Sequence, residues 1–169
     1  YLGLCLGMQI MVVEYARNEL GITDATSLEI DPDAANPVIA FMEGQEELHS
    51  TGGTMRLGVY PCLLKEGTKV REAYDQETVD ERHRHRYEFN NEYRVQLEEA
   101  GLIASGTSPD GSLVEVTEVY GHPFMVGSQF HPEFGSRPER PHPLFREFIR
   151  MARFTLREGG QHDLFEEEE

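Results

Sequence analysis

The run Tyr1-Leu2-Gly3-Leu4-Cys5-Leu6-Gly7 constrains this chain more than any other segment. An apolar strand leads into a cysteine, and a helical pattern begins directly after it. Gly3 and Gly7 tolerate the crowded backbone of a sharp strand-to-helix turn. The positive end of the helix is expected to favour the Cys5 thiolate, which is the nucleophilic form. Taken alone, the pattern favours a buried core cysteine, so a catalytic interpretation depends on a second motif.

That second motif, Gln129-Phe130-His131-Pro132-Glu133, occurs near the other end of the chain. An apolar strand pattern ends at His131, and the following proline turns the chain so that Glu133 can fold back towards the imidazole. A cysteine nucleophile needs a base for its proton, and a histidine held by a carboxylate supplies one. The two motifs together favour Cys–His–Glu catalysis through Cys5, with the backbone N–H of Leu6 as one oxyanion donor.

Charge and composition exclude two classes of partner. The 169 residues include 31 acidic and 15 basic side chains, a formal net charge of −16, which would repel nucleic acids and anionic membranes. We therefore expect no nucleic-acid and no membrane partner. There are only two cysteines, and neither a signal peptide nor an apolar run of membrane-spanning length is visible. These observations predict one folded domain in a reducing, cytoplasmic setting.

The order of the hydrophobic patterns predicts an α/β fold, since a buried strand that feeds a helix is typical of that class. Apolar periodicity predicts helices over 8–20 and 91–100 and from Pro143 onward. Short apolar or alternating runs predict strands over 38–42, 55–60 and 124–130. The turn Ser108-Pro109-Asp110-Gly111 predicts a β-hairpin between strands 102–105 and 113–119.

The sequence allows one prediction for each end of this chain. Tyr1 lies in what looks like the last part of a strand, and a strand that bears a nucleophile is normally central in its sheet. We therefore expect neighbouring strands upstream, so that the sheet is incomplete at the N-terminus of this segment. Residues 155–169 end in four glutamates and are predicted to be an acidic, disordered tail, which leaves 1–154 as the folded portion.

The two motifs resemble those of the class I, triad-type glutamine amidotransferases, and more closely those of the amidotransferase domains of the CTP synthase family. The class has a Gly-x-Cys-x-Gly elbow, here Gly3-Leu4-Cys5-Leu6-Gly7, and a His-Pro-Glu, here His131-Pro132-Glu133. Further matching segments are Ser50-Thr51-Gly52-Gly53-Thr54-Met55-Arg56-Leu57-Gly58, Arg84-His85-Arg86-Tyr87-Glu88-Phe89-Asn90 and His142-Pro143-Leu144-Phe145. The resemblance covers about 1–154 and implies a flavodoxin-like fold with a mostly parallel central sheet, flanking helices and an added β-hairpin.

The resemblance also implies which residues act. The catalytic residues would be Cys5, His131 and Glu133. Cys5 would be the nucleophile that forms a γ-glutamyl thioester, His131 would be the general acid and base, and Glu133 would orient His131. The residues that hold glutamine would be Leu6, Gln9, Glu29 and Arg86. This set suits a zwitterionic substrate, because Glu29 would bind the ammonium group and the planar guanidinium of Arg86 would bind the carboxylate.

In the family, ammonia from glutamine passes to an N-terminal synthase domain that aminates UTP to CTP with ATP and Mg²⁺, and GTP activates glutamine hydrolysis. The resemblance thus implies L-glutamine and a synthase domain as partners, a homotetramer for the whole enzyme, and no cofactor in this segment. His83 and His85 suggest a metal site, but three neighbouring arginines would repel a divalent ion. We therefore predict no metal site, and expect this basic loop to shape the glutamine pocket.

Two alternatives remain open from the sequence. A cysteine hydrolase of the same fold would cleave γ-glutamyl peptides rather than free glutamine. A catalytically silent interaction module would keep the fold without a reactive thiol. Labelling of Cys5 by an electrophilic glutamine analogue separates the amidotransferase from the silent module.

Overall fold

The computed structural model describes residues 1–41 and 55–158. The strands are β1 (Leu2–Leu4), β2 (Thr26–Ser27), β3 (Pro37–Phe41), β4 (Arg56–Leu64), β5 (Thr78–His85), β6 (Tyr87–Phe89), β7 (Leu102–Thr107), β8 (Val114–Val119) and β9 (Val126–Ser128). The helices are α1 (Leu6–Asn18), α2 (Lys69–Tyr74), α3 (Arg94–Glu99) and α4 (Pro143–Glu158), and short 3₁₀ turns span Asn91–Tyr93 and Pro132–Phe134.

The main sheet is mixed, with six strands in the order β1-β9-β8-β7-β4-β5. A smaller sheet has the order β2-β3-β6. Among the described strands, β1 and β9 run parallel, as do β2 and β3, and the other pairs are antiparallel. The expectation of a mostly parallel sheet is therefore met only in part. The reason is the length of the connections: residues 108–113 and 120–125 join β7 to β8 and β8 to β9, whereas a parallel crossover needs about a dozen residues or more.

The apolar core consists of two clusters, which confirms the α/β class. One cluster joins α1 and α3 to β3 and β7, and it includes the fully buried Met8, Val12 and Leu97. The other joins α2 and α4 to β4, β8 and β9 around Phe130 and Leu144. Helices thus cover the sheet as expected for a chain in which buried strands feed amphipathic helices.

Most of the predicted elements occur near their predicted places. The predicted hairpin is confirmed by the antiparallel pairing of β7 with β8. Helix α1 begins two residues earlier than expected, and Gly21, which follows it, has a left-handed conformation (φ 71°). The predicted helix over 91–100 is a 3₁₀ turn followed by α3, and the predicted strand over 124–130 is shorter. Helix α4 continues to Glu158, past the position where the acidic tail was expected to begin. The rest of that tail, like the turn predicted at Thr51-Gly52-Gly53-Thr54, lies outside the described residues.

The basic segment is a strand and not the loop that we expected. Residues of β5 alternate between exposed and buried positions, so that Arg82 and Arg84 face solvent while His83 and His85 are buried. Strict alternation is the period of a β-strand, and the high charge of the segment concealed it. Within the described residues, no group of three or more histidine, cysteine or acidic side chains could hold a metal ion. None of the described helices is long and apolar enough to cross a membrane.

Candidate active site

Cys5 lies at a strained elbow between β1 and α1. Its backbone has φ 50° and ψ −104°, a conformation that a non-glycine residue adopts only at a cost of about 1–3 kcal/mol. The Cys5 N–H donates to the Ser128 carbonyl at 2.7 Å, which ties the elbow to β9. A side chain held in this way at a strand-to-helix turn is presented above the edge of the sheet. The elbow predicted from the sequence is therefore present.

Only one of the two elbow glycines is sterically required. A Cβ at Gly3 would lie 2.6 Å from the Gly7 carbonyl carbon and 2.7 Å from its oxygen, which the backbone cannot accommodate without moving. A Cβ at Gly7 would meet only the Tyr1 hydroxyl, at 3.5 Å, which is an ordinary contact. Gly3 thus permits the close approach of the first turn of α1 to β1, whereas Gly7 does not need to be glycine.

His131 follows β9 and is held by Glu133. Its Nδ1 is 2.6 Å from Glu133 Oε1, and its backbone N–H donates to the Arg82 carbonyl at 2.9 Å. Because a carboxylate only accepts hydrogen bonds, this contact assigns the proton to Nδ1 and leaves the Nε2 lone pair free. His131 Nε2 is buried and has no hydrogen-bond partner among the described residues. The imidazole is thus arranged as a base.

The parallel pairing of β1 with β9 places the two motifs at the same edge of the sheet. Leu4 pairs with Ser128, so that Cys5 and His131 both follow the carboxyl ends of adjacent strands. The negative charge of Glu133 is close enough to raise the pKa of the Cys5 thiol. Residues separated by about 125 positions in sequence therefore form one cluster.

A cavity of about 360 Å³ opens beside the thiol. It is lined by the sulfur-bearing Cys5 and by all four residues that were expected to hold glutamine, namely Leu6, Gln9, Glu29 and Arg86. His131 and Glu133 do not line this cavity. The structure thus groups the expected ligand residues with Cys5, whereas the histidine and its carboxylate lie outside the cavity lining.

The cavity lining carries one carboxylate, Glu29, and two guanidinium groups, Arg84 and Arg86. Glu29 lies in the loop between β2 and β3, and Arg86 lies between β5 and β6. Both are exposed, and neither forms an ion pair with another described residue. A small zwitterion would find a carboxylate for its cationic group and a planar guanidinium for its anionic group.

The pKa of the Cys5 thiol is raised, contrary to the expectation of a favoured thiolate. Burial is the main cause, and the charges of Glu29 and Glu133 act in the same direction. Hydrogen bonds from the Leu6 N–H and the Gln129 side chain lower the pKa but do not outweigh burial. The resting sulfur is therefore a thiol, and its activation requires a base.

A buried network of charged and titratable side chains reaches the cavity through His85, which is part of the lining. Arg56 donates to Glu115 and its Nη1 lies 4.0 Å from Glu88 Oε1, while His83 Nδ1 and His85 Nε2 are 2.8 Å apart. Burial raises the pKa of Glu88 to about 8, and the charge of Glu115 acts in the same direction. Burial also raises the pKa of Glu115 to about 7, because Arg56 offsets the loss of water only in part. Burial also lowers the pKa of His83 to about 3 and that of His85 to about 4, so both imidazoles are neutral near pH 7.

The sequence interpretation missed Gln129 as a residue of the site. Its side chain is fully buried, and Nε2 lies 3.7 Å from Cys5 Sγ. It stands two positions before His131 within the quoted motif, so the motif itself was the available signal. Its position against the sulfur depends on the pairing of β1 with β9, which the motif alone does not reveal.

Comparison with known proteins gives consistent results. A sequence model of the family described as glutamine amidotransferase class-I matches residues 1–151. The CTP synthase of Dehalococcoides mccartyi is 59% identical over 164 residues, which are 97% of this chain and 30% of that protein. The CTP synthase of Carboxydothermus hydrogenoformans is 62% identical over 149 residues, 88% of this chain and 28% of that protein. The chain thus spans about 30% of the length of these relatives.

A solved structure is also similar. The glutaminase domain of Trypanosoma brucei CTPS with bound acivicin superimposes with a TM-score of 0.85 and 35% identity. The match covers 91% of this chain and 60% of that one.

Proposed function

The chain belongs to the class-I glutamine amidotransferase family, and we propose that its site hydrolyses L-glutamine through a thioester on Cys5. The observation that carries this proposal is the cavity in which the strained Cys5 lies together with Glu29 and Arg86, whose charges form no ion pair with another described residue. The α-ammonium of glutamine would bind Glu29 and its α-carboxylate would bind Arg86, and Gln9 lines the same cavity.

The chemistry proceeds in two halves. Cys5 Sγ attacks the side-chain carboxamide carbon of glutamine while its proton passes to His131 Nε2, which is free to accept it. The N–H of Leu6 at the start of α1 donates to the oxyanion. When the tetrahedral intermediate collapses, the C–N bond breaks and the imidazolium returns the proton to the departing ammonia.

Water completes the cycle. His131 takes a proton from a water molecule that attacks the thioester carbon. The C–S bond then breaks to release glutamate, and the imidazolium returns the proton to the departing sulfur, which restores the Cys5 thiol. Glu133, hydrogen-bonded at 2.6 Å to Nδ1, stabilises the imidazolium in both halves. Because burial raises the pKa of the Cys5 thiol, attack requires a base to take its proton, which is the role proposed for His131.

We further propose that the ammonia serves a CTP synthase. The relatives bearing that name match this chain over about 30% of their length, so a synthase domain of the same protein would use the ammonia to convert UTP to CTP. ATP and Mg²⁺ would act in that synthase domain, GTP would activate glutamine hydrolysis, and the whole enzyme would assemble into a homotetramer. None of these nucleotides is assigned to residues of this chain, and a cytoplasmic location is proposed on the same basis.

Cysteine replacement tests the proposal. Cys5→Ala should abolish release of ammonia and glutamate from L-glutamine, and Cys62→Ala is the matched control because Cys62 is the other free cysteine and is fully buried. In a protein that also carries the synthase domain, Cys5→Ala should remove glutamine-dependent CTP formation and spare ammonia-dependent formation. Loss of both activities would contradict the division of labour.

The alternatives predict different results in the same assays. Hydrolysis of γ-glutamyl peptides in preference to free glutamine would favour the peptide hydrolase. A folded chain whose Cys5 resists an electrophilic glutamine analogue would favour the silent module. Labelling that is lost in Cys62→Ser and kept in Cys5→Ser would overturn the choice of nucleophile.

A further inference from the structure

Gln129 connects the thiol to the wall of the cavity. It follows β9, and its backbone N–H donates to the Glu115 carbonyl of β8 at 2.8 Å, which fixes its main chain. Its side chain is fully buried. Nε2 lies 3.7 Å from Cys5 Sγ, and Oε1 accepts a hydrogen bond from Gln9 Nε2 at 3.3 Å. The side-chain amide is therefore held between the nucleophile and a residue that lines the cavity.

A backbone carbonyl fixes the direction of this whole series of hydrogen bonds. Gln9 Nε2 also donates to the Tyr87 carbonyl at 3.0 Å. Because a carbonyl oxygen can only accept, Gln9 must turn its NH₂ group towards Tyr87, and the second N–H of that group then faces Gln129. Gln129 must in turn present its oxygen to Gln9 and its NH₂ group to the sulfur. The amide orientation is thus imposed by the surroundings.

An N–H donor that faces sulfur stabilises the thiolate more than the thiol. The Gln129 bond and the Leu6 N–H both lower the pKa of Cys5, against burial and the charges of Glu29 and Glu133. The backbone N–H of Leu6 is expected to donate to the substrate oxyanion during attack, whereas the Gln129 side-chain N–H has no acceptor other than Cys5 Sγ among the described residues. Gln129 is therefore the donor that can remain on the sulfur throughout.

We propose that Gln129 is a positioning residue that aims the Cys5 sulfur and stabilises its anionic form, through the series Tyr87 carbonyl, Gln9, Gln129 and Cys5. This inference deepens the proposed function, since it assigns the residue that prepares the nucleophile for glutamine. It also means that a ligand contacting Gln9 in the cavity acts on the same hydrogen bonds that hold the sulfur.

Alkylation of Cys5 by iodoacetamide, measured against pH, tests this inference without glutamine. Cys62 is fully buried, so the 169-residue chain should report Cys5 alone, and a Cys62→Ala background removes any remaining signal. Gln129→Met keeps the length of the side chain and removes the donor. In Gln129→Met the midpoint of the profile of alkylation rate against pH should rise by about one pH unit. At a pH below the midpoint, the rate constant of alkylation should then be roughly tenfold lower than in the parent.

Two further variants control for structural damage. Gln129→Glu is closest in shape and places an acceptor against sulfur, so its midpoint should rise at least as far. Thr117→Val is the matched control, because Thr117 is buried on β8 next to Gly127 of β9 and its hydroxyl has no partner among the described residues. Its profile should equal that of the parent. If both Gln129 variants fail to fold, Gln9→Met breaks the series from the cavity side and should raise the midpoint in the same direction.

The outcomes separate this inference from the proposed function. A folded Gln129→Met or Gln129→Glu variant with an unchanged midpoint would overturn the inference even if glutamine is hydrolysed. A shifted midpoint in a chain that does not hydrolyse glutamine would support the inference and count against the function. In the active protein, Gln129→Met should lower kcat about tenfold and leave KM for glutamine within about threefold, which a general loss of packing would not do.

Discussion

Replacement of the two elbow glycines by alanine should have opposite effects on stability. In Gly3→Ala the new Cβ would lie 2.6 Å and 2.7 Å from backbone atoms of Gly7 and 2.8 Å from the Tyr1 ring. Two of these three contacts are with backbone at the start of α1, which cannot rotate away as a side chain can. Overpacking of this kind costs about 1–3 kcal/mol, and we expect the upper half of that range, about 2–3 kcal/mol.

Gly7→Ala is the matched control within the same motif. Its Cβ would meet one hydroxyl at 3.5 Å, and the position is helical, where alanine is favoured over glycine by up to about 1 kcal/mol. We expect no loss of stability and a gain of up to about 0.5 kcal/mol near the helix end. Both variants add a single methyl group, so the difference between their free energies of unfolding reflects the surroundings of that group.

Urea unfolding followed by circular dichroism measures both free energies, and thermal unfolding should give a midpoint about 4–12 °C lower for Gly3→Ala. Alkylation of Cys5 should slow in Gly3→Ala, because displacement of the first helical turn moves the thiol. Equal stability of Gly3→Ala and the parent, or equal destabilisation by both alanines, would refute the argument that close backbone approach requires glycine at one position only.

Glu118→Ala should lower the free energy of unfolding in urea by about 1–2 kcal/mol, because this buried carboxylate accepts hydrogen bonds from the first N–H groups of α2. An unchanged urea midpoint would contradict that capping role. The free energy of unfolding should fall as pH rises from about 4.5 to about 8, because burial raises the pKa of Glu88 to about 8 and the folded chain keeps a proton that the unfolded chain releases. Below this window the stabilisation is complete, and a Glu88→Gln variant whose pH dependence is as steep as that of the parent would refute the assignment. Arg86→Met should raise KM for glutamine at least about tenfold with little change in kcat, because it removes the guanidinium that would bind the substrate carboxylate. Arg82 is an exposed arginine outside the cavity, so Arg82→Met should leave KM unchanged. Equal effects of the two variants on KM would show that only net charge matters.

Local features of the structure could be predicted from the sequence because their causes are local. The elbow follows from an apolar strand, a cysteine and a glycine that permits close approach, and all of these lie within seven residues. The hairpin of β7 and β8 follows from its turn residues, and α4 begins at Pro143, which suits the first turn of a helix. The resemblance added the residues around the cavity, since Glu29 and Arg86 are otherwise two charges among many.

The basic segment shows where local reasoning stopped. Its charges suggested a solvated loop, yet β5 buries His83 and His85 against Arg56 and the two carboxylates of β6 and β8. A strand is buried on one face only when its neighbours cover that face, and neighbours far away in sequence are not visible in the segment itself. The same holds for the mixed direction of the sheet, which depends on which strands become neighbours.

By itself, the sequence determined the backbone elbow at Cys5 and the pairing of His131 with Glu133, because each depends on bonds and turns within a few residues. Only the tertiary structure decided that β1 lies parallel to β9, which brings Cys5, Gln129 and His131 to one edge of the sheet. It also decided the state of the sulfur: the nearby helix end favours the thiolate, but burial and two carboxylates brought in from distant loops outweigh it. Electrostatic free energies depend on distance in space and on exclusion of water, and a linear sequence specifies neither.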